Sequence, residues 1–92
     1  MVVFHIPGPL REFANGAAKI RLDESPATVA EALEKLGDRY PGVRDRVLDD
    51  RGVVRPHVNV FIGSESIRDC GGLSAAVPPN GEISIIQAVS GG

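Results

Sequence analysis

Cysteine is almost absent from this sequence: Cys70 is the only one among 92 residues. A single thiol cannot form an intrachain disulfide, and it excludes a four-cysteine zinc site or an iron–sulfur cluster held by this chain alone. No histidine–cysteine pattern with metal-ligand spacing surrounds His5 or His57, so we expect no bound metal. This cysteine usage is typical of a protein in a reducing, intracellular setting.

An excess of positive charge and a long apolar run are also missing. Ten basic residues against twelve acidic ones give a net charge of −2 and a pI of about 5.6. That balance provides no basic field for nucleic acid or for an anionic membrane. The first residues enter an apolar, β-branched segment directly, without the basic region and long apolar stretch of a signal peptide. We therefore expect a cytoplasmic protein that binds neither nucleic acid nor membrane.

Residues suited to catalysis are few. Nothing in the sequence indicates a lowered pKa for Cys70, so a small, partly buried core residue is the simpler interpretation. No serine stands in a nucleophile elbow, and the Gly71-Gly72 pair does not lead from a strand into a helix as a phosphate-binding loop does. The charged residues between 34 and 46 are interpreted as a solvated helix face, with rim contacts to a partner as the alternative. We therefore predict that the chain is not itself an enzyme.

What is present is the composition of one folded domain, with 42% hydrophobic and 24% charged residues. Alternation and turn signals predict strands at 2–6, 19–22, 58–62, 66–68 and 82–88. A capping box of Thr28 and Glu31 begins the main helix, which ends at the Pro41-Gly42 pair; short helical segments are predicted at 10–14 and 43–50. A mixed sheet that packs on one amphipathic helix satisfies this order, so we predict an α+β fold of the β-grasp kind over residues 1–88.

The C-terminal segment 89–92 contains Val89 and Ser90 followed by Gly91 and Gly92. At about 7% glycine usage, a terminal glycine pair arises by chance in about 0.5% of chains. Glycine has no Cβ, so such a tail can enter a channel that would exclude a side chain. The four residues span about 13 to 14 Å when extended. This pattern predicts a flexible tail that places the Gly92 carboxylate in a partner's active site; a frayed tail is the alternative.

The whole sequence resembles the small ubiquitin-like sulfur carriers. This family includes the small subunit of molybdopterin synthase, the thiamine-pathway carrier and the carriers of a thiocarboxylate route to cysteine. The segments that carry the resemblance are VNVFI at 58–62, IR at 67–68, GL at 72–73, NGEISIIQAVSGG at 80–92 and the helix exit YPG at 40–42. A glycine–serine turn at 63–65 departs from the Asn-Gly turn that is common there and changes only a hairpin tip.

The resemblance implies that Gly92 is the reactive residue. An ATP-dependent adenylyltransferase related to ubiquitin activation would adenylate its carboxylate, and sulfur from a sulfurtransferase or other persulfide donor would then replace AMP and leave a thiocarboxylate. A sulfur-acceptor synthase would receive the sulfur. The chain is then a co-substrate that binds no cofactor itself, while ATP is used by the partner enzyme.

A carrier of this kind needs an exposed apolar patch beside its tail. By alternation, Phe61 and Ile86 point away from the predicted core faces of their strands, so we predict that they form a partner-docking patch. The alternative is that segment 69–79 covers this face of the sheet and makes both residues part of the core.

Two other functions remain open from the sequence. If Gly92 is conjugated to lysines of target proteins, the chain is a ubiquitin-like modifier. If the tail takes part in no reaction, the chain is a plain β-grasp interaction domain. Similarity in the loop before residue 58 and at 71–73 favours the cysteine-pathway or molybdopterin-type carriers over the thiamine type, and delivery to another biosynthetic enzyme stays open.

Overall fold

Residues 1–87 of the chain are described by a computed structural model. Its regular elements are β1 (Val2–His5), β2 (Lys19–Leu22), α1 (Val29–Arg39), α2 (Pro41–Val47), β3 (Val58–Ile62), β4 (Glu65–Ser66) and β5 (Glu82–Gln87). Three 3-10 helices lie at Gly8–Ala14, Ile67–Asp69 and Gly72–Ser74. The strands form one sheet in the order β2-β1-β5-β3-β4, in which β1 and β5 are parallel and the other pairs are antiparallel. This is the predicted mixed sheet with a main helix.

The core lies between α1 and one face of the sheet. Alternate residues of the strands point to this inner face because the side-chain period of a strand is two. The helix contributes a stripe at helical spacing. Fully buried residues of the inner face and the stripe are Val2, Phe4, Val58, Ile83, Val29, Leu33 and Leu36. Burying one such side chain stabilises the fold by about 1.5 to 3 kcal/mol relative to leaving it exposed.

Helix α1 begins at the predicted cap. The Thr28 hydroxyl accepts a hydrogen bond from the Glu31 amide at 3.3 Å. The Glu31 carboxylate accepts in turn from the amide of Ala27, at 3.1 Å, and not from that of Thr28 as a strict capping box requires. The predicted cap is confirmed, but the Glu31 side chain bonds the amide of Ala27 instead of the amide of Thr28.

Helix α2 begins earlier and ends earlier than the predicted 43–50. Pro41 occupies the first turn, where its missing N–H costs nothing, so the Pro41-Gly42 pair both follows the end of α1 and starts α2. The helix ends at Val47 because Leu48 is extended and forms a β-bridge with Val54.

The predicted edge strand at 66–68 is wrong in its last two residues. Strand β4 comprises only Glu65 and Ser66, and a 3-10 helix starts at Ile67. The Ser66 hydroxyl accepts from the Arg68 amide at 3.3 Å and caps that turn. Ile67 is thereby buried in the core, which a continued edge strand would not achieve.

Strands β1 and β2 are antiparallel neighbours, as predicted. Strand β1 ends at His5, one residue before the predicted end, since Pro7 cannot continue the ladder. The connection contains the 3-10 helix Gly8–Ala14, which closes with Asn15 in the left-handed region at φ 54°. None of the helices within residues 1–87 is long and apolar enough to cross a membrane.

Candidate functional site

Phe61 and Ile86 lie on the same outer face of the sheet, opposite the core. In the antiparallel pair of β3 and β5, Phe61 stands opposite Ser84, and Asn59 stands opposite Ile86. Residues directly opposite each other in such a pair share a face, and residues two apart on one strand do so as well. The four side chains therefore form one continuous surface, which we call the outer patch.

The outer patch is accessible at Ile86. This side chain is 48% exposed, whereas its neighbour Ile85 is 2% exposed on the inner face. Phe61 is half-buried, and it is not among the partly buried hydrophobic residues that pack against the core. The predicted orientation of both residues is confirmed; their docking role stays a prediction.

The alternative, in which segment 69–79 covers the outer face, is wrong. That segment runs along the helix side of the molecule, where Ala75 and Val77 are buried. The Ala75 carbonyl accepts from the amide of Val29 at 3.1 Å, and the Val77 amide donates to the carbonyl of Ala27 at 3.0 Å. These bonds hold the segment against the start of α1.

A polar pair, which sequence reasoning missed, lies next to the outer patch. His5 Nε2 and Glu82 Oε1 are 2.5 Å apart. His5 stands opposite Ser84 in the parallel pair and opposite Lys19 in the antiparallel pair, so it lies on the outer face between β2 and β5. The pair depends on the parallel register of β1 and β5, and no local sequence signal specifies that register.

The direction of β5 determines at which end of the sheet the described part of the chain stops. Strand β5 runs parallel to β1 and continues for three residues past Ser84, ending at Gln87. It thus points toward the end of the sheet at which β2 begins. The predicted tail-threading residues Val89, Ser90 and Gly91, and the predicted reactive Gly92, lie outside the described residues, so these assignments stay predictions.

Cys70 packs against the core as predicted. Its thiol donates to the Ser66 carbonyl with a sulfur–oxygen distance of 3.3 Å. Burial raises the pKa of the Cys70 thiol, and the negative charges of Glu65 and Asp69 raise it further. The nucleophilic thiolate is therefore disfavoured at this position.

One concave surface in the described part of the chain is formed by the turn that follows α2. A shallow depression of about 280 Å³ is lined by Asp49, Asp50, Arg51 and Arg55. The Asp49 carboxylate accepts from the amides of Arg51 and Val53 at 2.8 and 3.0 Å, and these bonds, led by that to Val53, lower the pKa of Asp49. Within residues 1–87 no group of three histidine, cysteine or carboxylate side chains is placed to hold a metal ion.

Comparison with known proteins identifies one family. The model of the ThiS family matches residues 4–92. The sulfur carrier protein CysO of Mycobacterium tuberculosis is 29% identical over 93 residues, which cover 99% of this chain and 98% of CysO. Small archaeal modifier protein 3 of Haloferax volcanii is 33% identical over 72 residues, which cover 78% of this chain and 76% of that protein.

A solved structure agrees over the full chain. The crystal structure of the BexX/CysO complex of Amycolatopsis orientalis contains a chain that superposes with a TM-score of 0.89 at 30% identity, with 100% of both chains covered. The β-grasp architecture predicted from the element order is therefore confirmed, and so is the predicted family of ubiquitin-like sulfur carriers.

Proposed function

The chain belongs to the ThiS family of ubiquitin-like sulfur carriers, and we propose that it carries sulfur as a thiocarboxylate on Gly92. Its relatives in this family are small carriers, and the chain is accordingly a carrier protein and not an enzyme. The proposal concerns the chemical form of the cargo, the residue that holds it and the proteins that load and unload it.

One observation carries the proposal. The family match extends over residues 4–92 and so includes the Gly91-Gly92 pair, while 98% of the length of CysO is matched by 99% of this chain. The described residues contain neither a candidate metal site nor a thiol with a lowered pKa. The Gly92 carboxylate would supply the missing reactive group, because the two glycines before and at this position have no Cβ atoms and fit a narrow channel in a partner.

Loading requires activation, because a carboxylate is a poor electrophile. The partner adenylyltransferase joins the Gly92 carboxylate to AMP from ATP and releases pyrophosphate. The terminal sulfur of a persulfide then attacks the carbonyl carbon, and the bond to AMP breaks. A thiol reduces the acyl disulfide so formed and leaves the thiocarboxylate, whose sulfur is a soft nucleophile for the acceptor.

The outer patch is the proposed docking surface for the activating enzyme and for the acceptor. Phe61 and Ile86 supply the apolar anchors, and Asn59 and Ser84 supply polar contacts around them. Few residues carry most of the binding energy of an interface, and a half-exposed isoleucine beside an aromatic ring has the size and chemistry of such an anchor. Two of its four residues, Ser84 and Ile86, lie on β5, the last strand before residues 88–92 in the sequence.

A protein partner is supported by a relative. The Amycolatopsis orientalis CysO chain was solved in complex with a protein named BexX. We propose that this chain also docks on a protein partner, and that this partner is a sulfur-acceptor synthase that makes cysteine, molybdopterin or another sulfur-containing metabolite. One thiocarboxylate serves any acceptor that binds the same carrier surface.

A second function has its own support. Small archaeal modifier proteins 3 and 1 of Haloferax volcanii are 33% and 32% identical to this chain over 72 and 78 residues. Conjugation of Gly92 to lysines shares the adenylate with sulfur loading and differs only in the nucleophile that replaces AMP. The modifier function is therefore the alternative to the carrier function.

The adenylation step is tested by isotope exchange. With the cognate activating enzyme and ATP, the full chain is expected to support exchange of labelled pyrophosphate into ATP. A variant that lacks Gly91 and Gly92 should support none, although its circular dichroism is unchanged, because the acyl acceptor of AMP is displaced from the active site. Equal exchange with the shortened chain would contradict the assignment of Gly92.

A further inference from the structure

We propose that Arg39 closes the β2 edge of the sheet and thereby prevents this edge from pairing with the β2 edge of a second copy of this chain. The β2 edge is then an interaction surface that an intramolecular contact holds closed. It lies apart from the outer patch on β3 and β5, so the proposal does not depend on sulfur carriage.

Strand β2 is an edge strand. It pairs with β1 and is the last strand on its side of the sheet. An edge strand presents a row of backbone N–H and C=O groups that can pair with another chain, and proteins that remain monomeric cover such a row or place charges on it. The sequence KIRL of β2 contains no proline to interrupt the row. The edge is therefore available for pairing unless another part of the chain covers it.

Two hydrogen bonds show which backbone groups of β2 point away from β1. The Ile6 amide donates to the Ala18 carbonyl at 2.8 Å, so alternate residues from Ala18 onward direct their backbone groups toward β1. The residues between them, Lys19 and Arg21, direct theirs outward. The Arg21 carbonyl accordingly accepts a hydrogen bond from Nη1 of Arg39 at 2.9 Å. The open row of the β2 edge thus consists of the amides and carbonyls of residues 19 and 21.

The Arg39 guanidinium is held over this row. Arg39 is the last residue of α1, and its Cζ lies 5.5 Å from the centroid of the Tyr40 ring, within the range of a cation–π contact. Tyr40 packs against the core, so its ring is a fixed support for the cation. A hydrogen bond from a charged donor is about twice as strong as a neutral one. An incoming strand that uses the Arg21 carbonyl must therefore first displace Arg39.

The side chains of β2 also oppose self-pairing. Lys19 and Arg21 are exposed on one face of the strand, and neither takes part in an ion pair within residues 1–87. Two β2 strands paired antiparallel about Ile20 would place Lys19 of each copy opposite Arg21 of the other. Like charges that stand directly opposite each other destabilise a strand pair. Arg39 and these two charges therefore act against the same dimer.

The opposite edge of the sheet has the same arrangement. Strand β4 pairs only with the last two residues of β3. The Gly63 amide donates to the Glu82 carbonyl at 2.8 Å, and this register directs the backbone groups of Val58 away from β5. Nη2 of Arg68 donates to the Val58 carbonyl at 3.2 Å. An arginine thus covers an outward-facing carbonyl at each edge of the sheet.

Lys35 offers a matched comparison for Arg39. It lies one turn earlier on the same face of α1, and its ammonium is 2.8 Å from the Glu24 carboxylate. Glu24 follows β2 in the sequence, so Lys35 contacts a side chain beyond the strand. Among the bonds of the described residues, Arg39 is the basic side chain of α1 that reaches a backbone carbonyl of β2. Removal of Lys35 should therefore leave the edge closed.

The test measures self-association of the purified full chain by sedimentation over a wide range of concentrations. We expect the parent chain to remain monomeric. The Arg39→Ala variant should dimerise with an association constant raised by about 10-fold or more, because the Arg21 carbonyl loses its charged donor. The Lys35→Ala variant removes the same charge from the same helix face and should associate as the parent chain does.

A charge reversal on β2 identifies the paired surface. In the double variant Arg39→Ala/Lys19→Glu, the introduced carboxylate of each copy stands opposite Arg21 of the other, so two attractive pairs replace two repulsive ones. The dimer should strengthen by about a further 10-fold. Amide hydrogen exchange at positions 19 and 21 should slow in this dimer, because these amides gain acceptors. Exchange at Ile20, whose amide faces β1, should not change.

Three results would overturn the proposal: equal association of the Arg39→Ala and Lys35→Ala chains, a parent chain that already dimerises through β2, or a variant dimer in which exchange at positions 19 and 21 is as fast as in the monomer. Circular dichroism verifies that each variant is folded. The Arg39→Gln variant keeps most of the aliphatic stem and replaces Arg39→Ala if that chain is unstable, with the same expected dimer. Pyrophosphate exchange plays no part in this test, so its outcome is separate from that of the proposed function.

Discussion

Ile85 and Ile86 are neighbours in β5 with opposite surroundings. Ile85 is 2% exposed and faces α1, whereas Ile86 is 48% exposed and faces away from the core. The period of two in a strand determines this difference, and it was readable from the sequence. The pair therefore offers a matched comparison of a proposed docking residue with a core residue.

The Ile86→Asp variant should fold normally and dock poorly. An exposed substitution changes the free energy of unfolding by about 0.5 kcal/mol or less. A charge in an apolar anchor position should raise the half-saturating concentration of the chain in pyrophosphate exchange by about 10-fold or more. Steady-state exchange measures the second effect, and urea unfolding measures the first.

The matched Ile85→Asp variant should lose its fold, because it buries an unpaired carboxylate beside α1. Circular dichroism distinguishes the two variants. Loss of folded signal in Ile86→Asp, or unchanged half-saturation with folded Ile86→Asp, would contradict the assignment of the outer patch.

At the scale of single elements, α1 depends on its first turn. The Thr28 hydroxyl satisfies the Glu31 amide, one of the four N–H groups that a helix leaves without an internal partner. The residues that precede Val29 also hold segment 75–77 through the Ala27–Val77 bond. The start of α1 therefore serves both the helix, through the cap, and the long connection from β4 to β5, through the backbone bond of Ala27.

The Thr28→Ala variant should lower the free energy of unfolding by about 1 kcal/mol, because it removes the capping oxygen. Thr28→Ser retains the hydroxyl and serves as the control, with a change within about 0.5 kcal/mol. Urea titration followed by circular dichroism measures both. Equal stability of Thr28→Ala and the parent chain would show that the cap contributes nothing.

Elements whose signals are local were predictable from the sequence. The capping residue Thr28, the helix-ending Pro41 and the alternation in β3 and β5 are read from neighbouring residues, and the structure contains each of them. Strand β4 was not predictable at its end. The burial of Ile67 and the turn capped by Ser66 depend on tertiary contacts of that segment.

At the scale of the whole molecule, the candidate site depends on pairings between distant segments. The parallel pair of β1 and β5 joins residues close to the two ends of the chain, and it creates the His5–Glu82 pair. The register between such strands is set by the packing of the complete sheet. Alternation within each strand was therefore enough to predict the orientation of Phe61 and Ile86, but the polar pair between β1 and β5 could not be predicted from the sequence.

The sheet and α1 form the body of the carrier. The inner face of the sheet packs on α1 and forms the core, and the outer face is the proposed surface for partners. The family match places sulfur carriage on this body. The proposed thiocarboxylate then requires only that a partner's active site receive the residues beyond β5. In the proposed function the body provides recognition, and the partners provide the catalysis.

Intact-protein mass spectrometry tests the thiocarboxylate most directly. The full chain is incubated with its cognate activating enzyme, ATP and sulfide, and its mass is compared with that of the untreated chain. Replacement of one carboxylate oxygen by sulfur on Gly92 adds about 16 Da, and the shortened chain without Gly91 and Gly92 should gain nothing. An unchanged mass, in the presence of an enzyme that catalyses pyrophosphate exchange on this chain, would contradict the account.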